Sequence, residues 1–138
     1  MVRFWNTNLV QSKLPRVNFM AVIYQDRANI YWKQANELLE KREWSKASEL
    51  AWGSVVEVIH ALAESKGTKI KNHGALRNFI RTVAQQLQDN EIWRLFQKAE
   101  GFHANFYHEF MDEQEVKEIF PSIKEFLERI GSLLPPRV

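Results

Sequence analysis

The chain has 138 residues, 45% of them hydrophobic and 26% charged, with a net charge of +2. That is the make-up of one ordinary globular domain, long enough to bury a single core. The absence of cysteine excludes a disulfide framework, a thiolate metal site and a cysteine nucleophile, and no apolar stretch approaches the roughly 20 residues of a membrane span.

Residues 1–20 carry no helical period. Pro15 and the scattered polar residues read as an extended or irregular arm, whose Phe4, Trp5, Leu9 and Leu14 need cover from the core or from a partner subunit. The arm lacks the apolar run of a signal peptide, so the expected location is cytoplasmic. Residues 21–138 read as one all-α domain, an up-and-down bundle of four main helices with a fifth, C-terminal helix.

Helix one spans about 22–42, with Tyr24, Ala28, Tyr31, Ala35 and Leu38 on one face. The short turn at 41–44 predicts an antiparallel second helix, N-capped by Ser45. That helix, about 46–65, is apolar on most sides, which marks it as the central one. Its narrow polar stripe is Glu49, Gly53, Glu57, His60 and Glu64, and Gly67 ends it through a left-handed cap. Helix three, about 73–87, points Leu76, Ile80, Val83 and Leu87 inward. Helix four follows Asp89-Asn90 with the stripe Ile92, Phe96, Ala99, His103, Phe106 and Phe110. Helix five starts at Asp112, where Glu115 completes a capping box. It turns Val116, Ile119, Ile123, Phe126 and Ile130 inward, and Pro121 is expected to kink or split it. No segment has the period of a strand.

His103 is the leading chemical candidate, because it replaces an apolar residue in the helix-four stripe. Glu100 and Tyr107 flank it at helical spacing, so the three can share one pocket, and a histidine there can move protons near neutral pH. The competing reading is a buried histidine satisfied by a carbonyl or a glutamate. A basic stretch, Lys66, Lys69, Lys71, His73, Arg77 and Arg81, places Arg77 and Arg81 on one helix face near an N-terminus, where a phosphate is favoured. A solvated surface explains the same residues. Acids dominate from Glu109 to Glu128, so the two charged regions suit either a phosphate-binding face or a self-complementary dimer.

The step Glu-x-x-His occurs twice, as Glu57 with His60 and Glu100 with His103, the spacing of di-iron carboxylate bundles. The rest of that pattern fails. Helix three has no glutamate between His73 and Leu87, and solvent explains the polar stripe that holds Glu57 and His60. No metal or cofactor is expected. Glycine-rich phosphate loops, nucleophile elbows and zinc-binding spacings are also absent from the sequence.

Two stretches, LLEKREWSKASELAWGSVVEVIHALA (38–63) and AEGFHANFYHEFMDEQEVKEIFPSIKEFLERI (99–130), resemble an archaeal branch of the HEPN superfamily. The resemblance covers about 20–133, and the words AWGSVVE and FHANFY make it fairly specific. It implies a helical bundle, often a homodimer. The superfamily holds metal-independent ribonucleases, partners of nucleotidyltransferases in toxin–antitoxin pairs, and members that only bind nucleotides or proteins. Its nucleases share an arginine, four to six residues, then a histidine. His103 matches the histidine; the arginine has no match. Lys98 stands five residues before His103 and Arg94 nine, about 140° and 180° away on a regular helix.

The expected function is therefore binding of RNA or a nucleotide around His103. On the nuclease reading, His103 takes the proton of the attacking 2′-hydroxyl, and Lys98, or Arg77 with Arg81 nearby, neutralises phosphate charge. Asn105 and Tyr107 orient the substrate beside Glu100, and two copies build the cleft. The alternative is a non-catalytic interaction module, such as a dimeric partner of a nucleotidyltransferase, in which Glu100, His103 and Tyr107 form a structural network.

Overall fold

A computed structural model describes residues 18–136, and among them the chain is all helical: α1 (Phe19–Glu40), α2 (Trp44–Ser65), α3 (His73–Gln86), α4 (Asn90–His108) and α5 (Glu113–Gly131). The arm expected at 1–20 lies outside the described residues except for its last three. Asn18 caps α1, its Oδ1 accepting from the Ala21 N–H at 3.1 Å, and Phe19 and Met20 already belong to the helix.

As its apolar surface requires, α2 is the central helix, touching all four others. The contact with α1 depends on small side chains. The residues α1 buries are Ala21, Ala28 and Ala35, seven apart, and a Cβ added at Gly53 of α2 would stand 3.3 Å from the Tyr31 ring. A heptad of alanines lets two backbones run close at a shallow angle. Tyr24, Tyr31 and Leu38, expected inside, are half-buried instead. Across α2 the core is Val55, Ile59 and Leu62 against Phe96 and Phe102 of α4 and Ile123, Phe126 and Ile130 of α5, with Leu76 and Ile80 of α3 closing one end.

Several local expectations are corrected. Glu43, not Ser45, precedes the first residue of α2; Ser45 lies inside the helix and donates to Glu109 Oε1 at 3.0 Å. Leu87 is 49% exposed, because α3 ends at Gln86 and the chain turns away before Leu87 can point inward. Phe106 and Phe110 are exposed as well; the last turn of α4 runs out beside the α1–α2 turn, where the bundle has no further layer. The buried face of α4 continues through Phe102 and Asn105 instead. Pro121 does not split α5, since its missing donor falls on the exposed side. The capping box of Asp112 and Glu115 forms as expected.

Three helices end in the same hydrogen-bonded cap, the first of them α1, where Glu43 N–H reaches Leu38 O, Arg42 N–H reaches Leu39 O and Arg42 has φ 64°. After α2, Thr68 N–H reaches Ala63 O at 2.9 Å and Gly67 N–H reaches Glu64 O, with Gly67 at φ 72°. After α3, Asp89 N–H reaches Ala84 O and Gln88 N–H reaches Gln85 O, but the left-handed residue is Gln88, φ 52°. A side chain there costs about 1 kcal/mol that glycine avoids. Gln88→Gly is therefore expected to stabilise the fold by about that amount, read as a higher thermal midpoint.

The polar stripe of α2 does not face solvent. Glu57 is buried and pairs with Arg27 Nη1 of α1 at 3.3 Å, and His60 stacks on Tyr24 of α1, ring centroids 5.1 Å apart. Burial holds the His60 imidazole below the ordinary 6.5, against the pull of Glu57 and Glu64. The unfolded chain then takes up the proton first. The stability due to neutral His60 is complete above pH 6.5 and is lost as the pH falls below it. Between about pH 7.5 and about pH 5, the parent is expected to lose more urea resistance than His60→Gln.

Candidate functional site

Where α2, α3 and α4 meet, two histidines lie side by side. His73 is the first residue of α3, placed by Asn72, whose side chain caps the helix by accepting from Ala75 N–H at 2.8 Å. His103 comes from the middle of α4. Their rings are stacked, centroids 6.5 Å apart. Behind both is the indole of Trp52 from α2, 5.7 Å from the ring of His73 and 5.6 Å from that of His103. Trp52 is buried against Phe96, so the floor of the site is part of the core.

Each imidazole is paired with its own carboxylate. Nδ1 of His103 is 3.0 Å from Glu49 Oε1 of α2, and Nε2 of His73 is 2.8 Å from Glu100 Oε2 of α4. Among the described residues, Nε2 of His103 and Nδ1 of His73 are left without a hydrogen-bond partner. The carboxylates fix ring orientation and the site of one proton, leaving the second nitrogen of each ring free to exchange one. The histidine side chains are 40% and 50% exposed, so solvent and solutes reach them.

Glu100 also draws in a cation. Arg77 Nε stands 2.9 Å from Glu100 Oε2, close enough for an ion pair but not aligned for a hydrogen bond, so this buried N–H lacks a properly placed acceptor. The guanidinium lies over Trp93, 5.2 Å from the ring centroid. On the other side, Tyr107 meets His103 edge-on at 5.2 Å and stands largely in solvent.

Of the residues expected at the site, His103, Glu100, Tyr107 and Arg77 come together, and Arg81 lies one turn beyond Arg77, 4.4 Å over Trp93. Glu100 and His103 do not share a bond; Glu100 reaches α3 while His103 reaches α2. Two expectations are corrected. Asn105 faces inward and holds the loop after α4, its amide donating to Ser48 Oγ at 3.2 Å and accepting from Met111 N–H at 2.7 Å, so neither end is left for a ligand. Lys98 is exposed and does not join the cluster, because α4 stays helical through Gly101 and keeps it about 140° round from His103. Arg94 is held by Glu91 on the outer surface. The sequence reading missed Glu49, taken as solvated stripe, and Trp52, taken as plain core; His73 figured only as part of the basic stretch. Among the described residues, no group of three or more acidic, histidine or cysteine side chains could hold a metal ion. The two Glu-x-x-His pairs lie apart, one under α1 and one beside α3. No described helix is long and apolar enough to cross a membrane.

The model of the archaeal PaREP1/PaREP8 family matches residues 23–127. The chain belongs to that family. The matched span of this PaREP1/PaREP8 protein contains every residue of the histidine cluster. No curated protein matches the chain. Among solved structures, a protein from Sulfolobus solfataricus is similar at 20% identity, with a TM-score of 0.71 over 79% of this chain and 97% of that one. At that identity the likeness speaks for the fold of this PaREP1/PaREP8 chain and for nothing more.

Proposed function

We propose that this PaREP1/PaREP8 protein binds single-stranded RNA across the α3–α4 face and cleaves it without metal, by proton transfer at His73 and His103. The observation that carries the reading is the pair itself: two accessible imidazoles 6.5 Å apart, each oriented by its own carboxylate, with an arginine at one edge. Transesterification of RNA needs those parts. Neutral His103 takes the proton of the 2′-hydroxyl at Nε2 while the oxygen attacks phosphorus. Protonated His73 gives a proton from Nδ1 to the departing 5′-oxygen. The products are a 2′,3′-cyclic phosphate and a 5′-hydroxyl, with the two imidazoles left in exchanged protonation states. Arg77, with the N-terminus of α3, faces the charge that builds on phosphate. The likeness to HEPN nucleases supports the same reading. The arginine of their motif has no match before His103, and in this reading Arg77 of α3 supplies the cation in its place.

The test is incubation of the full chain with single-stranded RNA in excess chelator, with analysis of the ends. Cyclic phosphate ends are expected; intact RNA at every pH would sink the proposal. One observation favours a second, non-catalytic reading. Phe19, Met20, Ile23 and Ile30 are exposed along α1, a face suited to a second copy or to a partner such as a nucleotidyltransferase. Intact RNA would leave that reading in place.

A further inference from the structure

The same face carries a second feature beyond the histidines. Between the last turn of α3 and the first turn of α4 is a cleft of about 330 Å3. Trp93 and Arg81 form its walls, and Gln85, Gln88 and Asn90 bring three side-chain amides to its rim. These amides make no hydrogen bond to another described residue. The acid in the lining, Asp89, is already committed: it caps Glu91 N–H at 3.2 Å and pairs with Arg129 Nη1 at 2.8 Å. The cleft thus offers an aromatic ring, a cation and unpaired amide donors and acceptors.

That inventory matches a nucleobase. A base has a π-face that stacks on an indole and an edge whose donors and acceptors an amide can pair. A phosphate alone would use Arg81 and leave the amides idle, and an apolar ligand would leave all three desolvated without a partner. Gln88 stands at a left-handed cap position, as Arg42 does after α1, and its side chain helps line the cleft.

Arg77 joins the cleft to the histidines, since its guanidinium lies over Trp93 and its Nε beside Glu100. From Trp93 to His103 along α4 is roughly 15 Å, more than one nucleotide bridges from base to phosphate. We propose that the α3–α4 cleft is a base-binding subsite for single-stranded RNA, one nucleotide or more from the scissile bond. It makes the preferred substrate a strand rather than a mononucleotide. This inference rests on the RNA reading above.

The test uses the full chain and a labelled 2′-O-methyl oligonucleotide of about ten residues, which binds as RNA but has no hydroxyl to attack. Fluorescence anisotropy is compared for the parent, Gln88→Gly, and Gln85→Ala with Gln88→Gly. The glycine relieves backbone strain, so lost folding does not mimic lost binding. The double variant is expected to bind about tenfold more weakly than the parent, with Gln88→Gly between them. Parent-like affinity in the double variant overturns the subsite while the histidine reading stands, provided that the parent still cleaves RNA. No binding and no cleavage by the parent overturns both.

Discussion

His103→Ala is expected to slow RNA cleavage by the full chain about 10²–10⁴-fold in chelator, and His73→Ala by a similar factor, the usual contribution of a positioned acid or base. The two losses should not add. Once either proton transfer is removed, the remaining histidine has little concerted chemistry to support, so the double variant should fall close to the worse single one. One histidine must start neutral and the other charged, so the parent rate should pass through a maximum with pH and fall on both sides. Each variant should flatten one limb: His103→Ala the acid limb, where the base is protonated, and His73→Ala the alkaline limb, where the acid is lost. Initial rates on a single-stranded substrate measure all of this. Parent-like rates in His103→Ala would remove it from the chemistry, leaving it a structural histidine held by Glu49.

The largest effect on stability is expected at Phe96. Its ring is fully buried and lies against three others: Trp52 at 5.8 Å, Trp93 at 5.5 Å and Phe126 at 6.3 Å. Phe96→Ala removes the common support of the indole beneath the histidines and the indole that walls the cleft. The expected loss is ~3–5 kcal/mol by urea denaturation, a large part of the total stability of a domain this size. Phe96→Leu should lose less, because it leaves a smaller void. Since Trp52 and Trp93 both rest on this ring, the tryptophan emission of folded Phe96→Ala should also change. An unfolding midpoint equal to that of the parent would contradict the packing described.

Much of the fold was legible because its signals are local. The apolar excess of α2 made it central, Asp112 with Glu115 started α5, and Gly67 ended α2. The absence of a strand pattern agrees with the helices seen. Errors came where tertiary structure decides. The stripe through His103, Phe106 and Phe110 is a correct period, but periodicity does not show where the neighbouring layer stops, and the bundle ends before Phe106. The polar stripe of α2 looked solvated because nothing in it shows that α1, with its alanines seven apart, lies on top.

The candidate site was half legible for the same reason. Helical spacing brought Glu100, His103 and Tyr107 to one side of α4. The partners that complete the chemistry are far along the chain: Glu49 is 54 residues from His103, and His73 is 27 from Glu100. No local pattern joins such pairs. Lys98 looked closer in sequence than Arg77, yet helix geometry turns it away, while the α3–α4 packing carries Arg77 in.

The central claim, that His73 and His103 form one RNA-binding site, is tested most directly by nuclear magnetic resonance of the imidazole and indole groups. The full chain is titrated with the 2′-O-methyl oligonucleotide, so binding is observed apart from cleavage. The account predicts that the ring signals of His73 and His103 and the indole signals of Trp52 and Trp93 move together, with one affinity, while the indole of Trp32, stacked on Phe120 between α1 and α5, stays still. Unmoved His73 and His103 signals at saturating oligonucleotide would contradict it.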